Sequence, residues 1–247
     1  VRIKIVINIF FIADYFIVYG VGDPLKPRDT MYQVLVERGM EGLETNRINI
    51  PSLPRVHIGQ TIFKNVKIPK ENILGGPGKG YNNLFSGLVA ERGAIVGSSL
   101  GIAWLVACTA LIYTNFRTQF GKPLYSFQAV SFPLTELFMD LMAATELGFK
   151  SATLYEKFFE SDKYAGRQDI IKFNAAFSSG TKGLTAKLAF KIAYEAQQLC
   201  GGIAYTDNLP IDRAFEVAKI QEIIGGSRNI QTYIVSNSIK DMIKRLE

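Results

Sequence analysis

Residues 198–205 read Gln198-Leu199-Cys200-Gly201-Gly202-Ile203-Ala204-Tyr205, and the chain then restarts at Pro210 and reaches Arg213. A long helical pattern runs into a double glycine, an aromatic residue and a proline-led second helix. Glycine accepts the positive-φ conformations that end helices and that other residues resist. It also removes side chains where backbone must approach something closely, such as a diphosphate or a neighbouring chain. Alone, the segment reads as a plain helix stop. Its neighbours in the sequence give it a further meaning.

Working outward, the pattern is helical almost throughout the last two-thirds of the chain. The periodicity predicts helices near Tyr81–Asn115, Ser126–Ser161, Gln168–Leu199, Ile211–Gln221 and Arg228–Arg245. Three or four long antiparallel helices make an up-and-down bundle the economical architecture. The glycine run Gly75-Gly76-Pro77-Gly78-Lys79-Gly80 marks the boundary with what precedes it. Before it the pattern is β. Short β-branched or aromatic runs occupy Arg2–Phe10, Asp14–Tyr19, Met31–Glu37, Arg47–Ile50 and Thr61–Val66. Turn clusters such as Gly22-Asp23-Pro24 and Pro51-Ser52-Leu53-Pro54 separate several of them. The expected fold class is α+β, with an apparently incomplete β domain over 1–76 and a helical bundle over 77–247. A chain that opens inside a strand leaves an edge to cover. Something is expected to precede Val1, or another chain to cover it.

Composition narrows the function. Of 247 residues, 48% are hydrophobic and 20% charged, enough for a large packed core. The net charge of +6 comes from 28 Lys and Arg spread along the chain without a basic block, which argues against a nucleic-acid surface. A mildly basic chain is compatible with an anionic ligand such as a coenzyme A ester. The two cysteines, Cys108 and Cys200, make no disulfide framework and read as buried thiols. A single histidine, His57, rules out a multi-histidine metal site within one chain. The 20 uncharged residues Ala94–Tyr113 are long enough to span a bilayer. They also fit the centre of a helical bundle or a subunit interface, and no flanking basic cluster sets a membrane orientation. The expectation is a helix that does not cross a membrane. No secretory signal or disulfide framework is evident, which points to the cytoplasm.

Four segments carry chemistry together. One is Phe63-x-x-Val66-x-Ile68-Pro69-x-x-Asn72-x-Leu74-Gly75-x-x-Gly78-x-Gly80. The second is Glu91-Arg92, in the first bundle helix. The third is Arg117-x-x-Phe120-Gly121-Lys122-Pro123-x-x-x-Phe127-Gln128, between two long helices. The fourth runs from Gln198 to Gln231. In this order and at these separations they resemble the acyl-CoA dehydrogenase family over essentially the whole chain, most strongly in the helical part. The resemblance implies a barrel-like middle β domain followed by a four-helix C-terminal domain. It implies homo-oligomers, dimers or tetramers, with FAD bound between subunits. It also implies an acyl-CoA substrate from fatty acid metabolism and an acceptor such as an electron-transfer flavoprotein. Family members carry an N-terminal helical domain and an earlier flavin-contacting β segment that this sequence lacks, so a separate chain supplying that domain is a further possible partner.

The resemblance also assigns residues. Arg117, Phe120 and Gln128 match positions that contact the FAD of a neighbouring subunit, and Gln198, Gly201 and Gly202 match the segment that meets it. Ser227 and Asn229 fall where the family usually has Thr and Gln near the same diphosphate. An arginine supplies a fixed fork of donors to a diphosphate, and helix-start N–H groups add more. On its own, Arg117 reads equally as a charge complementing a helix C-terminus.

The reaction removes a proton α to a thioester carbonyl and a hydride from the β carbon. Its base is expected to be a carboxylate in a water-poor pocket, where desolvation raises its pKa. Most family members place that Glu just before a Gly-Thr near the C-terminus, where this chain has Gly225 in Ile223-Ile224-Gly225-Gly226-Ser227. A minority branch, including the isovaleryl-CoA and long-chain enzymes, carries it on the first bundle helix with a small residue at the other position. Glu91 with Gly225 shows the same exchange, and Gly225 leaves room for the Glu91 side chain. The resemblance therefore makes Glu91 the base and Arg92 a substrate-region residue. The plainer alternative is a helix-surface Glu91–Arg92 pair. The chain also departs from the family. Ile5 and Ile7, in Ile5-Val6-Ile7-Asn8, stand where an aromatic and a Thr meet the flavin. Ala204 replaces a third glycine, and Glu216-Val217 an Arg-Asp pair. Three readings stand: a dehydrogenase or the C-terminal part of one; a non-catalytic relative that keeps the bundle and its interface; and a flavin oxidase or monooxygenase on the same scaffold.

Overall fold

The computed structural model describes residues 2–6, 12–51, 56–159 and 167–244, with the backbone alone over 2–6. The chain divides into two compact units, Val1–Leu88 and Val89–Glu247.

The first unit holds β1 (Arg2–Val6), β2 (Tyr15–Val21), β3 (Met31–Glu37), β4 (Leu43–Ile48), β5 (Ile58–Phe63) and β6 (Ile73–Leu74). They form two antiparallel sheets of three strands each, ordered β1-β5-β4 and β2-β3-β6. Alternation explains the second sheet. Phe16 on β2 lies opposite Val36 on β3, and both are buried, while Tyr15 and Ile17 on either side of Phe16 are exposed. Such cross-strand apolar pairs are the unit from which sheets gain stability. Strand β4 begins four residues earlier than its β-branched run suggests. Its first half, Leu43-Glu44-Thr45-Asn46, is polar because β4 is an edge strand, where Glu44 pairs with Lys64 at 2.6 Å. The expected barrel-like arrangement is corrected here: among the described residues the strands stay in two separate sheets, and each sheet keeps its edges. Of the flavin-facing departures, Ile7 and Asn8 lie outside the described residues, as does the side chain of Ile5.

The helices are α1 (Gly80–Phe116), α2 (Gln128–Phe159), α3 (Gln168–Cys200), α4 (Ile211–Gln221) and α5 (Arg228–Ile243), and the first turns of α1 belong to the first unit. All five lie within two residues of their expected limits. They make three long helices and two short ones where a four-helix bundle is expected. The reason is the pair of turns that break the C-terminal third, at Gly201–Pro210 and at Gly225–Ser227. Helix α3 packs against α2, α4 and α5. Its capping residue is Gly201, at φ 68°, whose N–H closes on the carbonyl of Gln197, so the double glycine does end the helix as its sequence suggests.

The core of the second unit joins Ala103, Val106, Ala107 and Ala110 of α1 to Leu134, Leu137 and Leu141 of α2, with Ala189, Ile192 and Ala196 of α3 and Ala218 of α4. The many alanines let helix backbones approach closely, and larger residues fill the remaining gaps. Helix α1 is long and apolar enough to cross a membrane by length and composition, but one face of it is sealed in this core. Trp104 ties α1 to α2 by donating its indole N–H to Thr145 Oγ1 at 3.0 Å. On its other face α1 exposes Leu105, Ile112 and Phe116. Between α1 and α2 the chain forms a small hairpin that periodicity does not reveal, β7 (Thr118–Gln119) and β8 (Lys122–Pro123). Its two-residue turn, Phe120-Gly121, has both residues at positive φ, 51° and 79°, as primed hairpin turns require.

Both cysteines are free. Cys200 is buried at the end of α3, and burial pushes its thiol pKa up to about 11. A thiol of that kind carries almost no thiolate near neutrality and is a poor nucleophile. Iodoacetamide at pH 8 is therefore expected to leave Cys200 unmodified in the folded protein and to label it only after unfolding, as read by peptide mapping. Rapid labelling of Cys200 in the native state would contradict this packing.

Candidate functional site

Glu91 and Arg92 are neighbours on α1, yet they have opposite environments. Glu91 is exposed, whereas Arg92 retains only 3% of its accessible surface. The 100° step between consecutive helical residues turns one outward and the other into the bundle. The surface-pair alternative does not hold, because among the described residues the two form no direct ion pair. Arg92 instead directs Nε at the carbonyl oxygen of Gly225, at a long 3.5 Å, and its Nη1 is buried without a hydrogen-bond partner. Burial lowers the pKa of Arg92 and the nearby Glu91 carboxylate opposes the shift. An arginine starts so high that it keeps its charge.

Gly225 lies beside Glu91. A Cβ built on it would sit 3.7 Å from both Cδ and Oε1 of Glu91 and only 2.4 Å from Cδ1 of Ile95. Its φ of 62° further disfavours any side chain. The segment after α4 thus meets α1 at a position without a side chain, where a Cβ would press on the tip of Ile95. The exchange read from the sequence, a carboxylate on the helix facing a glycine on the loop, corresponds to a real juxtaposition.

That loop is clamped by residues to which the sequence reading assigns no role. Lys182 of α3 is fully buried and donates from Nζ to the carbonyls of Gly226 at 2.9 Å and Glu222 at 3.2 Å. Burial, and secondarily the charge of Arg92, lower its pKa to about 8, against the opposing pull of Glu222 and Glu91. Gln231 of α5, also buried, donates from Nε2 to the carbonyls of Gly225 at 3.0 Å and Gly226 at 2.9 Å. Ser98 of α1 donates to Oε1 of Gln221 at 3.2 Å. One signal of Lys182 was available in the sequence. It stands at core spacing on α3, between the small pair Ser178-Ser179 and Ala186, Ala189 and Ala193, where a charged residue is out of place.

The remaining predicted site residues lie on exposed surfaces. Arg117, Phe120 and Gln128 belong to the hairpin and the start of α2. Phe120 is 91% exposed and rests edge-on against Phe127, with ring centroids 6.1 Å apart, while Lys122 Nζ sits 4.3 Å from the Phe127 ring centre. Gln198, Gly201 and Gly202 are exposed at the end of α3, and nothing lies within 4 Å of a Cβ built on either glycine. Ser227 and Asn229 are exposed at the start of α5, where Ser227 occupies the capping position without a side-chain cap. The open glycines, the exposed Arg117 and the uncapped helix start are donor and access features suited to a dinucleotide diphosphate and its ring system. Two carbonyls of this turn each gather two donors, Arg92 and Gln231 at Gly225 and Lys182 and Gln231 at Gly226, with Glu91 beside them.

Residues 78–240 match the model of the acyl-CoA dehydrogenase C-terminal domain. The short-chain-specific acyl-CoA dehydrogenase of Megasphaera elsdenii is 30% identical over 230 residues, covering 92% of this chain and 56% of that protein. Among solved structures, butyryl-CoA dehydrogenase of Megasphaera elsdenii superposes with a TM-score of 0.84 at 28% identity, over 96% of this chain and 59% of that one. Glutaryl-CoA dehydrogenase in complex with glutaryl-CoA gives 0.83 at 27% identity, over 95% and 57%. The chain spans a little over half the length of these relatives. On the strength of the helical domain and its agreement with these structures, the chain belongs to the acyl-CoA dehydrogenase family.

Proposed function

We propose that this chain forms the helical part of the catalytic machinery of an FAD-dependent acyl-CoA dehydrogenase, with Glu91 as the base that takes the α proton of an acyl-CoA thioester. The observation that carries the proposal is the placement of Glu91 against Gly225, with 3.7 Å between the Glu91 carboxylate and the position a side chain at 225 would take. The carboxylate has space on the loop side, and Arg92 and Gln231 fix the loop there. When bound, the flavin supplies the acceptor for the β hydride. Glu91 receives the proton at a carboxylate oxygen, and Arg92 holds the wall of the site. Arg117, Phe120 and Gln128, with Gln198, Gly201, Gly202, Ser227 and Asn229, are assigned to holding the cofactor, and an electron-transfer flavoprotein is the acceptor class that fits the chemistry.

A second reading rests on one observation, the exposure of Glu91. A base for α-proton abstraction works best away from water. If nothing covers Glu91 in the assembled protein, the chain is a non-catalytic relative that keeps the bundle. For the dehydrogenase, the acyl chain and the cofactor supply that cover.

Homo-oligomerisation, as a dimer or tetramer, is supported by the outer faces of the helices. Leu105, Ile112 and Phe116 on α1 and Phe132, Met139, Met142 and Phe149 on α2 are all exposed in the single chain. Apolar surface on that scale marks a contact site, and a second copy of the same faces suits it.

Three outcomes test these assignments. Glu91→Gln is expected to slow acyl-CoA-driven bleaching of the flavin band by about 10²–10⁴-fold at unchanged flavin content; bleaching at the wild-type rate would remove Glu91 as base. Arg117→Ala is expected to lose flavin on gel filtration while its thermal midpoint in the flavin-free state stays unchanged, and retention of wild-type flavin would return Arg117 to a helix-end charge. Ile112→Glu is expected to lower the molar mass measured by light scattering, and an unaltered mass would place the contact elsewhere.

A further inference from the structure

The turn joining α4 to α5 has an unusual electrostatic setting. The carbonyl oxygens of Glu222, Gly225 and Gly226 converge, and donors from three different helices point at them: Arg92 from α1, Lys182 from α3 and Gln231 from α5. Two consecutive glycines at positive φ, 62° and 100°, form the centre of the turn. A peptide unit between two glycines meets little steric resistance to rotation, so its orientation is set by what its carbonyls bond to. Lys182 is fully buried. A buried ammonium loses its hydration and regains stability only through hydrogen bonds and nearby charge. Among the described residues it forms no direct ion pair, and its bonds go to the two carbonyls that bracket Gly225 in sequence.

Building on the reading of Glu91 as base, we propose that Lys182 is a positioning residue for it. By holding the carbonyls of Glu222 and Gly226, the ammonium fixes the Gly225–Gly226 turn as the wall beside the Glu91 carboxylate. At that wall the position of a Cβ at 225 lies 3.7 Å from the Glu91 carboxylate, in contact range, and against the tip of Ile95. A displaced turn therefore crowds Glu91 or leaves it unsupported, and a shift of about 1 Å in such a support costs on the order of 10²-fold in rate.

Hydrogen–deuterium exchange on the Lys182→Met protein tests this without flavin or substrate. Exchange over residues 222–228 is expected to rise at least about tenfold while amides in the middle of α1 and α2 keep their protection, as expected of a local opening. In the flavin-loaded protein the same variant should lower the limiting rate of flavin bleaching by about 10–100-fold, with little change in the ester concentration giving half that rate. Unchanged exchange in the turn would overturn the proposal. So would protection lost uniformly through the helices, or a loosened turn that leaves bleaching at the wild-type rate. If Lys182→Met does not fold, Lys182→Gln, too short to reach both carbonyls, is read in the same way. Glu91→Gln serves as the control: if it still bleaches flavin normally, the base assignment fails, whatever the exchange of the turn shows.

Discussion

Helix α3 must touch three other helices at once, and this crowding governs the second unit. The face of α3 turned toward α2, α4 and α5 is closed to solvent, while Leu184, Lys187, Lys191 and Tyr194 keep the opposite face exposed. Most side chains on its packed face are short: Ala175, Ser179, Thr181, Thr185, Ala186, Ala189, Ala193 and Ala196 are all buried, with Leu188 and Ile192 the larger apolar residues among them. Short side chains alone hold little surface out of water, so the larger partners come from the neighbouring helices, such as Leu134 and Leu141 on α2 and Ile211 on α4. The hydroxyl groups are accommodated by bonding back to the helix itself, as Thr185 does to the carbonyl of Thr181. Lys182 differs from these residues in carrying a charge. It is the one cation of α3 that is wholly enclosed among the described residues, and it faces the Gly225-Gly226 turn.

Much of this was legible in the sequence. Helix limits came through because amphipathic periodicity, glycine stops and proline restarts all coincide, as at Cys200-Gly201 and Pro210-Ile211. The relation of Glu91 to Gly225 was legible only through the resemblance to the family branch that carries its carboxylate on the first bundle helix; neither residue signals it alone. What escaped was non-local or weakly patterned. The edge strand β4 carries too much polarity to read as a strand from its own residues. The hairpin at Phe120-Gly121 has strands of two residues each, too short for any alternation. The separation of the strands into two sheets depends on pairings between distant segments, which no local pattern encodes. The clamp on the turn was hidden for the same reason: Lys182 and Gly226 are 44 residues apart.

The split environments of Glu91 and Arg92 reflect a compromise between chemistry and packing. On the proposed reading, a proton acceptor at Glu91 has to be reachable by a ligand, and Arg92, bracing the turn, has to be immobile. Adjacent positions on one helix satisfy both needs because they face about 100° apart. The unpartnered Nη1 of Arg92 marks the cost of that arrangement, a buried donor whose full hydrogen-bonding capacity is not used within this chain.

The hairpin tip has a consequence for the isolated subunit. Phe120 is held in a left-handed conformation that costs a residue with a side chain on the order of 1 kcal/mol, and its ring is almost wholly in water. Neither burden is relieved by anything in the same unit except the edge of Phe127. A free subunit therefore carries a small stored penalty at its tip, which covering the ring would offset. If the proposed homo-oligomer covers the tip, dilution that separates the copies would restore that penalty, so that occupancy of a ligand held there would become a function of protein concentration as well as of ligand concentration.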